Sequence, residues 1–211
     1  VDPQVSPEVT TILTRSRELG FLGPQTVAHQ IEHALGFWRA AVSSLVSPTE
    51  RILDLGSGGG LPGLVVQELW PTVPMVLLDG SVKRCTFLAE AVEELGIADR
   101  VTVLCGRAEE LGHSPDLRGT FDLVVARSFG QPGVLAECAS PFLSVGGNLI
   151  VSEPPDEDID DRWPESGLHK VGLSNPRLIV EGSRFAVVTQ TNVCPERYPR
   201  RNGVPTKRPL F

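Results

Sequence analysis

Residues 51–63 read RILDLGSGGGLPG. The run Arg51–Leu55 is apolar apart from Arg51 and Asp54, and four glycines follow within the five residues 56–60. Glycine packs nothing and loses the most backbone entropy on ordering, so this density cannot be a strand interior. It suits a sharp turn whose bare backbone can approach a ligand. Pro62 stands where the first turn of a helix should open, where its missing N–H costs little. Strand, glycine turn and helix start together make the nucleotide-binding corner of a βαβ unit.

The flanking sequence extends that unit in both directions. Upstream, residues 6–46 read as helical, with Val27, Ile31, Ala34, Leu35, Trp38 and Val42 spaced by three and four and with Gly20, Gly23 and Pro24 breaking the region in two. Downstream come a short helix at Leu64–Trp70 and a second strand at Met75–Asp79, an apolar run of the kind buried on both faces. Ser81 is placed to cap a helix over Val82–Leu95 that Gly96 ends. Strands at Val101–Cys105 and Phe121–Ala126, a helix at Pro132–Leu143 and a strand at Leu149–Ser152 follow. Arg177–Val180 and Arg184–Thr191 flank Glu181-Gly182-Ser183 as an antiparallel pair. Five alternations of strand and helix predict an α/β, doubly wound, mostly parallel Rossmann-like sheet with an antiparallel strand near its edge. The expected organisation is an N-terminal helical segment over 1–48, a nucleotide-binding domain over 49–193 and a basic tail over 194–211. Ligands of such sheets sit at the carboxyl ends of the strands.

A chain of 211 residues is compatible with one domain, and its hydrophobic share of 41% and charged share of 21% are ordinary. No apolar run approaches the roughly 18 residues that span a bilayer. Val1-Asp2-Pro3 opens neither a basic segment nor an apolar one, so an export signal is not expected. Cys85, Cys105, Cys138 and Cys194 form no C-x-x-C pair, which argues against a structural zinc and against a disulfide framework. The expectation is a cytoplasmic protein with no membrane contact. Net charge is −7, yet the charges are segregated. Residues 153–165 hold seven acids against Arg162, whereas residues 194–208 hold Arg197, Arg200, Arg201, Lys207 and Arg208 against Glu196.

Two nucleotides compete for the corner. Gly58-x-Gly60-x-x-Gly63 satisfies the dinucleotide fingerprint, with Asp79 downstream for a ribose diol. That reading needs its first glycine directly after the strand, and Gly56 and Ser57 intervene. Asp54-Leu55-Gly56-Ser57-Gly58 is better placed as an acid-x-Gly-x-Gly loop, which cradles the amino-acid end of S-adenosylmethionine (SAM). A zwitterionic tail wants backbone N–H and C=O groups close by rather than a pyrophosphate site at a helix N-terminus. Asp79 then accepts both ribose hydroxyls, and Ala108-Glu109 edges the adenine.

Other motifs in the chain point to different chemistries. His29-Gln30-Ile31-Glu32-His33 fits the H-x-x-E-H pattern of zinc peptidases, but neither His113 nor His169 brings a third ligand with a supporting helix motif. These histidines are expected on the surface or in packing, and no metal is expected. Glu153-Pro154-Pro155-Asp156 mimics the run that marks amino-group methylation of adenine, but after the wrong strand and without an aromatic. A cysteine nucleophile for a pyrimidine carbon is not evident, since Cys85, Cys105 and Cys138 read as small packing residues. In the tail, Arg200, Arg201, Lys207 and Arg208 with Tyr198, spaced by Pro199, Gly203, Pro205 and Pro209, suit an extended strip following a phosphate backbone.

Five ordered motifs carry a family likeness: DLGSGGGLPG (54–63), LLDGSVKRCTFLAEAVEELG (77–96), GRAEEL (106–111), FDLVVARSF (121–129) and YPRRNGVPTKRPL (198–210). Together they resemble the RsmG (GidB) family of bacterial methyltransferases that act on small-subunit (16S) ribosomal RNA. The resemblance implies a class I methyltransferase fold, SAM as cofactor, and small-subunit rRNA or the small ribosomal subunit as partner, with transfer to guanine N7. Gly56, Leu61, Ala108, Glu109 and Arg127 match the family's SAM-binding positions, and Gly58 and Asp79 match the general class. N7 already carries a free lone pair, so its methylation needs positioning rather than a general base. Arg127, at the rim of the cleft, is the candidate catalytic residue, orienting substrate or cofactor. The chain departs from the family pattern before the first strand, at Glu32–Phe37, and after the fifth, where Ser152-Glu153 replaces a usual Lys-Gly and is expected to set a repelling carboxylate beside the RNA. A diverged enzyme acting on a small molecule or protein, or a non-catalytic SAM-binding module, is the alternative. A monomer is favoured.

Overall fold

Seven strands form one sheet in the computed structural model, which describes residues 3–211. Val1 and Asp2, the start of the N-terminal segment, lie outside the described residues. In chain order the strands are β1 (Ile52–Leu55), β2 (Met75–Asp79), β3 (Val101–Cys105), β4 (Phe121–Ala126), β5 (Leu143–Glu153), β6 (Arg177–Val180) and β7 (Arg184–Thr189). Their order across the sheet is β3-β2-β1-β4-β5-β7-β6. The first five run parallel, and β7 enters antiparallel between β5 and β6. The chain starts mid-sheet at β1, builds outward through β2 and β3, then returns to β4 on the other side. This reversal opens a crevice at the carboxyl ends of β1 and β4.

The helices are α1 (Pro7–Glu18), α2 (Val27–Ser43), α3 (Gly63–Leu69), α4 (Val82–Glu94), α5 (Ala108–Leu111), α6 (Pro132–Ala139), α7 (Ile159–Arg162), α8 (Glu165–Leu168) and α9 (Val204–Lys207). Alternation along β1 separates two cores. Ile52 joins the face covered by α1 to α4, while Leu53 and Leu55 join the face covered by α6, α8 and the C-terminal tail. On the first face α2 lies tight against β7. Phe37 meets Phe185 edge-on at 4.9 Å between ring centroids, and a Cβ at Gly36 would stand 2.5 Å from Phe185 Cζ. Gly36→Ala is therefore expected to cost about 1–3 kcal/mol by overpacking, despite the better helix propensity of alanine. Thermal melting checks this, and a variant melting at or above the parent would show that α2 stands off from the sheet.

Several elements differ from the sequence expectation. The helix expected over Pro132–Leu143 ends at Ala139 and tightens into a 3₁₀ turn at Ser140–Phe142. β5 begins six residues early, because Leu143 pairs with the buried Phe121 and a register shift absorbs Gly146, whose φ of +91° suits glycine. The acidic block folds into α7 and α8. The tail is not an extended strip: left-handed Gly203 at φ +76° and Pro205 start the single turn of α9. Ser81 makes no side-chain cap; its N–H instead donates to Asp79 Oδ1 at 2.8 Å.

Candidate cofactor and substrate cleft

The glycine loop is folded over the end of β2 and held from below by Asp54. Gly56 N–H and Ser57 N–H both donate to Leu78 O, at 2.8 and 2.9 Å, and Ser57 Oγ donates to Asp54 O at 2.9 Å. Asp54 is fully buried, and its Oδ2 accepts Gly63 N–H at 2.9 Å, tying the strand to the first turn of α3. Its other oxygen, Oδ1, has no protein partner. Burial pushes the Asp54 carboxyl up to about 7, against the opposing pull of the Gly63 and Ser57 hydrogen bonds and the Arg127 charge. A buried acceptor without a donor costs free energy unless something supplies one. Gly56 and Gly58 have φ of +79° and +55°. A Cβ at Gly56 would meet Phe129 Cδ2 at 2.7 Å, so only glycine leaves the passage between loop and aromatic ring open. Leu61 points into the core, 3% exposed, and anchors the loop's far end.

Asp79 ends β2 with both oxygens engaged: Oδ1 takes Ser81 N–H and Oδ2 takes Gly58 N–H at 2.9 Å. It therefore sets the spacing between the glycine loop and the start of α4, while Arg84 stands 3.8 Å from Oδ2. Each oxygen retains a lone pair, so accepting a diol is still open to it. One strand further out, Ala108 and Glu109 open α5 and share a slot with Gly56, Leu78, Phe129 and Val134. Burial raises the Glu109 carboxyl, but its own backbone N–H, that of Gly203 and the Arg107 guanidinium outweigh burial and hold it below the usual range. Its Oε1 accepts Gly203 N–H at 3.1 Å and Arg107 Nη2 at 3.2 Å.

Arg127 follows β4 on the other side of the loop. Its Nη2 donates to Gln30 Oε1 at 3.1 Å, and Gln30 is held by donating Nε2 to Gly23 O and Gln25 O at 3.0 and 3.2 Å. Burial lowers the guanidinium, and the Asp54 charge partly restores it. Ser128 takes φ +54°, a left-handed turn uncommon outside glycine, and the chain then presents Phe129 to the loop. His33 sits beside Arg127 and Ser128, its ring 5.9 Å from that of Phe37 and 5.8 Å from that of Phe185. Burial, then the charges of Arg127 and His29, lower the imidazole to about 4, so it is neutral at neutral pH. His29 is exposed, and among the described residues no three His, Cys, Asp or Glu side chains gather as a metal site would require.

Of the eight cofactor candidates, Gly56, Asp79, Ala108 and Glu109 line one slot at the strand ends, Gly58 is tied to Asp79, and Arg127 lines a separate hollow with Gln30 and His33, while Asp54 and Leu61 are buried beneath the loop. The four basic tail candidates do not act alike. Arg200 is spent inside the protein: its backbone N–H, Nε and Nη2 all donate to Glu137, a carboxylate with no exposed surface. Arg201, Lys207 and Arg208 are exposed, with no ion pair among the described residues. Glu153 is no bare carboxylate either. Its side chain is 2% exposed, accepting Arg162 Nε at 2.6 Å and Trp163 Nε1 at 2.9 Å. The repulsion expected from that position is neutralised by the acidic block's single arginine. Gln30, His33, Ser128 and Phe129 were not singled out as site residues. Their role depends on how α2 packs and on one backbone angle, neither of which leaves a motif.

The strand order, the glycine loop on a buried Asp54 and the acid at the end of β2 define a class I SAM-dependent methyltransferase. Solved structures agree on the fold: the SAH-bound methyltransferase PaMTH1 of Podospora anserina superposes with a TM-score of 0.63 over 89% of either chain at 16% identity. The SAM complex of the O-methyltransferase TomG of Streptomyces achromogenes gives 0.62 over 90% of this chain and 92% of that one at 18% identity. The chain belongs to the GidB family, described as rRNA small subunit methyltransferase G, whose pattern it matches over residues 10–157. Proteins named ribosomal RNA small subunit methyltransferase G are 32% identical in Prochlorococcus marinus, covering 82% of this chain and 77% of the relative. The counterpart in Deinococcus radiodurans is 38% identical over 76% of this chain and 66% of its own length.

Proposed function

We propose that the crevice binds SAM and that the enzyme methylates guanine N7 in small-subunit rRNA, acting in the cytoplasm. The observation that carries the cofactor reading is the orphaned Oδ1 of buried Asp54, an acceptor in the field of the Arg127 charge beneath a loop whose left-handed turns at Gly56 and Gly58 suit glycine. Asp54 and the backbone of Gly56–Gly58 would hold the methionine end, Asp79 the ribose diol, and Ala108 with Glu109 the adenine edge. SAM, when bound, supplies an electrophilic methyl group on a sulfonium centre.

The chain's own residues then have three tasks. Arg127 retains N–H donors beyond the one on Gln30, and these suit guanine O6, the acceptor next to N7. Gln30 is the positioning residue that aims Arg127. Neutral His33 keeps a second cation away from a cationic cofactor and leaves the approach to the lone pair free. Phe129 and Ser128 line the passage and exclude water, so that catalysis rests on alignment without a general base. Arg201, Lys207 and Arg208 would contact phosphates and make binding salt-dependent.

Methyl transfer from labelled SAM to 30S subunits of a strain lacking the gene, with mapping of the modified base, tests this reading. Label at a guanine N7 is expected, with Arg127→Lys reducing kcat at least tenfold at unchanged melting temperature. Unlabelled rRNA in the presence of measurable SAM affinity would sink the substrate assignment.

A further inference from the structure

We propose that the C-terminal strap is part of the cofactor site: residues Gly203 to Thr206 form the outer wall of the adenine slot, with the Thr206 hydroxyl as a polar contact. This rests on the SAM reading given above and adds to it residues outside the strand ends. The strap is fastened along its length before it reaches the slot. Arg118 Nη1 donates to Tyr198 O and Nη2 to Cys194 O, each at 2.8 Å, and His113 Nε2 lies 2.8 Å from Pro199 O. Arg200 is locked to Glu137. Asn202 Nδ2 then donates to Glu110 Oε1 at 3.2 Å, and Gly203 N–H to Glu109 Oε1 at 3.1 Å, so the strap is bonded to the two acids that open α5. Beyond the slot it is fastened again, by Lys170 Nζ donating to Leu210 O at 3.2 Å and by Phe211 packed over Gly167.

Between these fastenings Thr206 lines the slot with Gly56, Ala108, Glu109, Phe129 and Val134. Four of those five carry apolar or bare surface, which suits the flat face of a purine. The polar rim is made by Asp79, Arg107, Glu109, which already accepts from Gly203 and Arg107, and Thr206, whose hydroxyl makes no hydrogen bond among the described residues. Strand-end motifs alone leave this side of the slot open; the strap closes it. A ligand with an adenine ring would therefore be held by residues 150 positions apart in the chain, from Gly56 to Thr206.

The test is calorimetric binding of two probes, SAM and 5′-methylthioadenosine, which carries the adenosine half alone. Thr206→Trp fills the slot from an exposed position and should leave the fold intact, as melting will report. Both affinities are expected to fall at least tenfold in Thr206→Trp and two- to fivefold in Thr206→Ala, while Val193→Trp, on the exposed root of the strap, changes neither. Asp79→Ala separates the two claims. If Asp79→Ala loses both probes and Thr206→Trp binds them like the parent, the strap is not a wall of the site and the proposal fails. If Asp79→Ala also binds unchanged, the cofactor reading itself is wrong.

Discussion

Arg200→Met is expected to lower the melting temperature by roughly 6–20 °C, the largest effect of any single substitution in the tail. The cause is Glu137, which has no exposed surface and receives three of its hydrogen bonds from Arg200. The variant keeps the backbone N–H but leaves a buried carboxylate without its cation. Removing one partner of such a pair costs about 3–5 kcal/mol, because the charge left behind is uncompensated. For a chain of this size each kcal/mol shifts the midpoint by roughly 2–4 °C. The double variant Glu137→Leu/Arg200→Met should recover most of the loss, since replacing both charges removes the desolvation cost along with the attraction. Differential scanning calorimetry of the three proteins decides it. A single variant melting within a degree of the parent would mean that the ion pair is solvated in solution. The same geometry divides the basic tail into two roles. Arg200 holds the strap, so any salt dependence of RNA binding should drop on removing Arg201, Lys207 or Arg208, each lowering the slope by about one.

The sheet was legible because its signals are local. Continuous apolar runs at Met75–Asp79 and Phe121–Ala126, glycines at the first turn and an acid closing the second strand each constrain a few consecutive residues, and each element forms where its residues ask for it. The same is true of Asp54, Gly56, Gly58, Asp79, Ala108, Glu109 and Arg127, which a parallel sheet must bring together at one end. What was not legible depends on contacts between distant segments. Charge counting read Glu153 as repulsive, but the arginine nine residues on neutralises it once α7 folds back. Prolines and basic residues read the tail as an extended RNA strip, but a buried acid on α6 claims Arg200 and residues 204–207 coil into α9. Gln30 lies inside a zinc-like pattern that points to its neighbours, and it is the residue that accepts a hydrogen bond from Arg127.

Asp54→Asn and His33→Gln are expected to tilt the pH dependence of stability in opposite directions. Asp54 titrates near 7 when folded, raised chiefly by burial from an ordinary value of 3.8. A raised carboxyl contributes stability that is complete below the unfolded value and is lost as pH rises through the folded one. At about 1.4 kcal/mol per unit this is on the order of 4 kcal/mol at most between pH 4 and 8. His33 runs the other way. Burial and the neighbouring Arg127 and His29 lower it from 6.5 to about 4, so its contribution is complete above 6.5 and is lost as pH falls through 4. Because the imidazole is only half-buried, screening reduces that term to roughly 1–2 kcal/mol. The two slopes oppose each other between pH 4 and 6.5, and the parent should be comparatively flat there. Asp54→Asn can keep the Gly63 hydrogen bond through its amide oxygen; its stability should rise with pH across that window and exceed the parent's at pH 8. His33→Gln should instead lose stability steadily toward pH 7. Urea titrations at half-unit intervals measure both slopes, and parallel profiles for the two variants would refute the assignment. The same carboxyl links stability to ligand. A cationic cofactor favours ionised Asp54, so SAM affinity should tighten as pH rises through 7, with a proton released on binding below that pH. Calorimetry in buffers of different ionisation enthalpy reads that proton directly, and Asp54→Asn should release none.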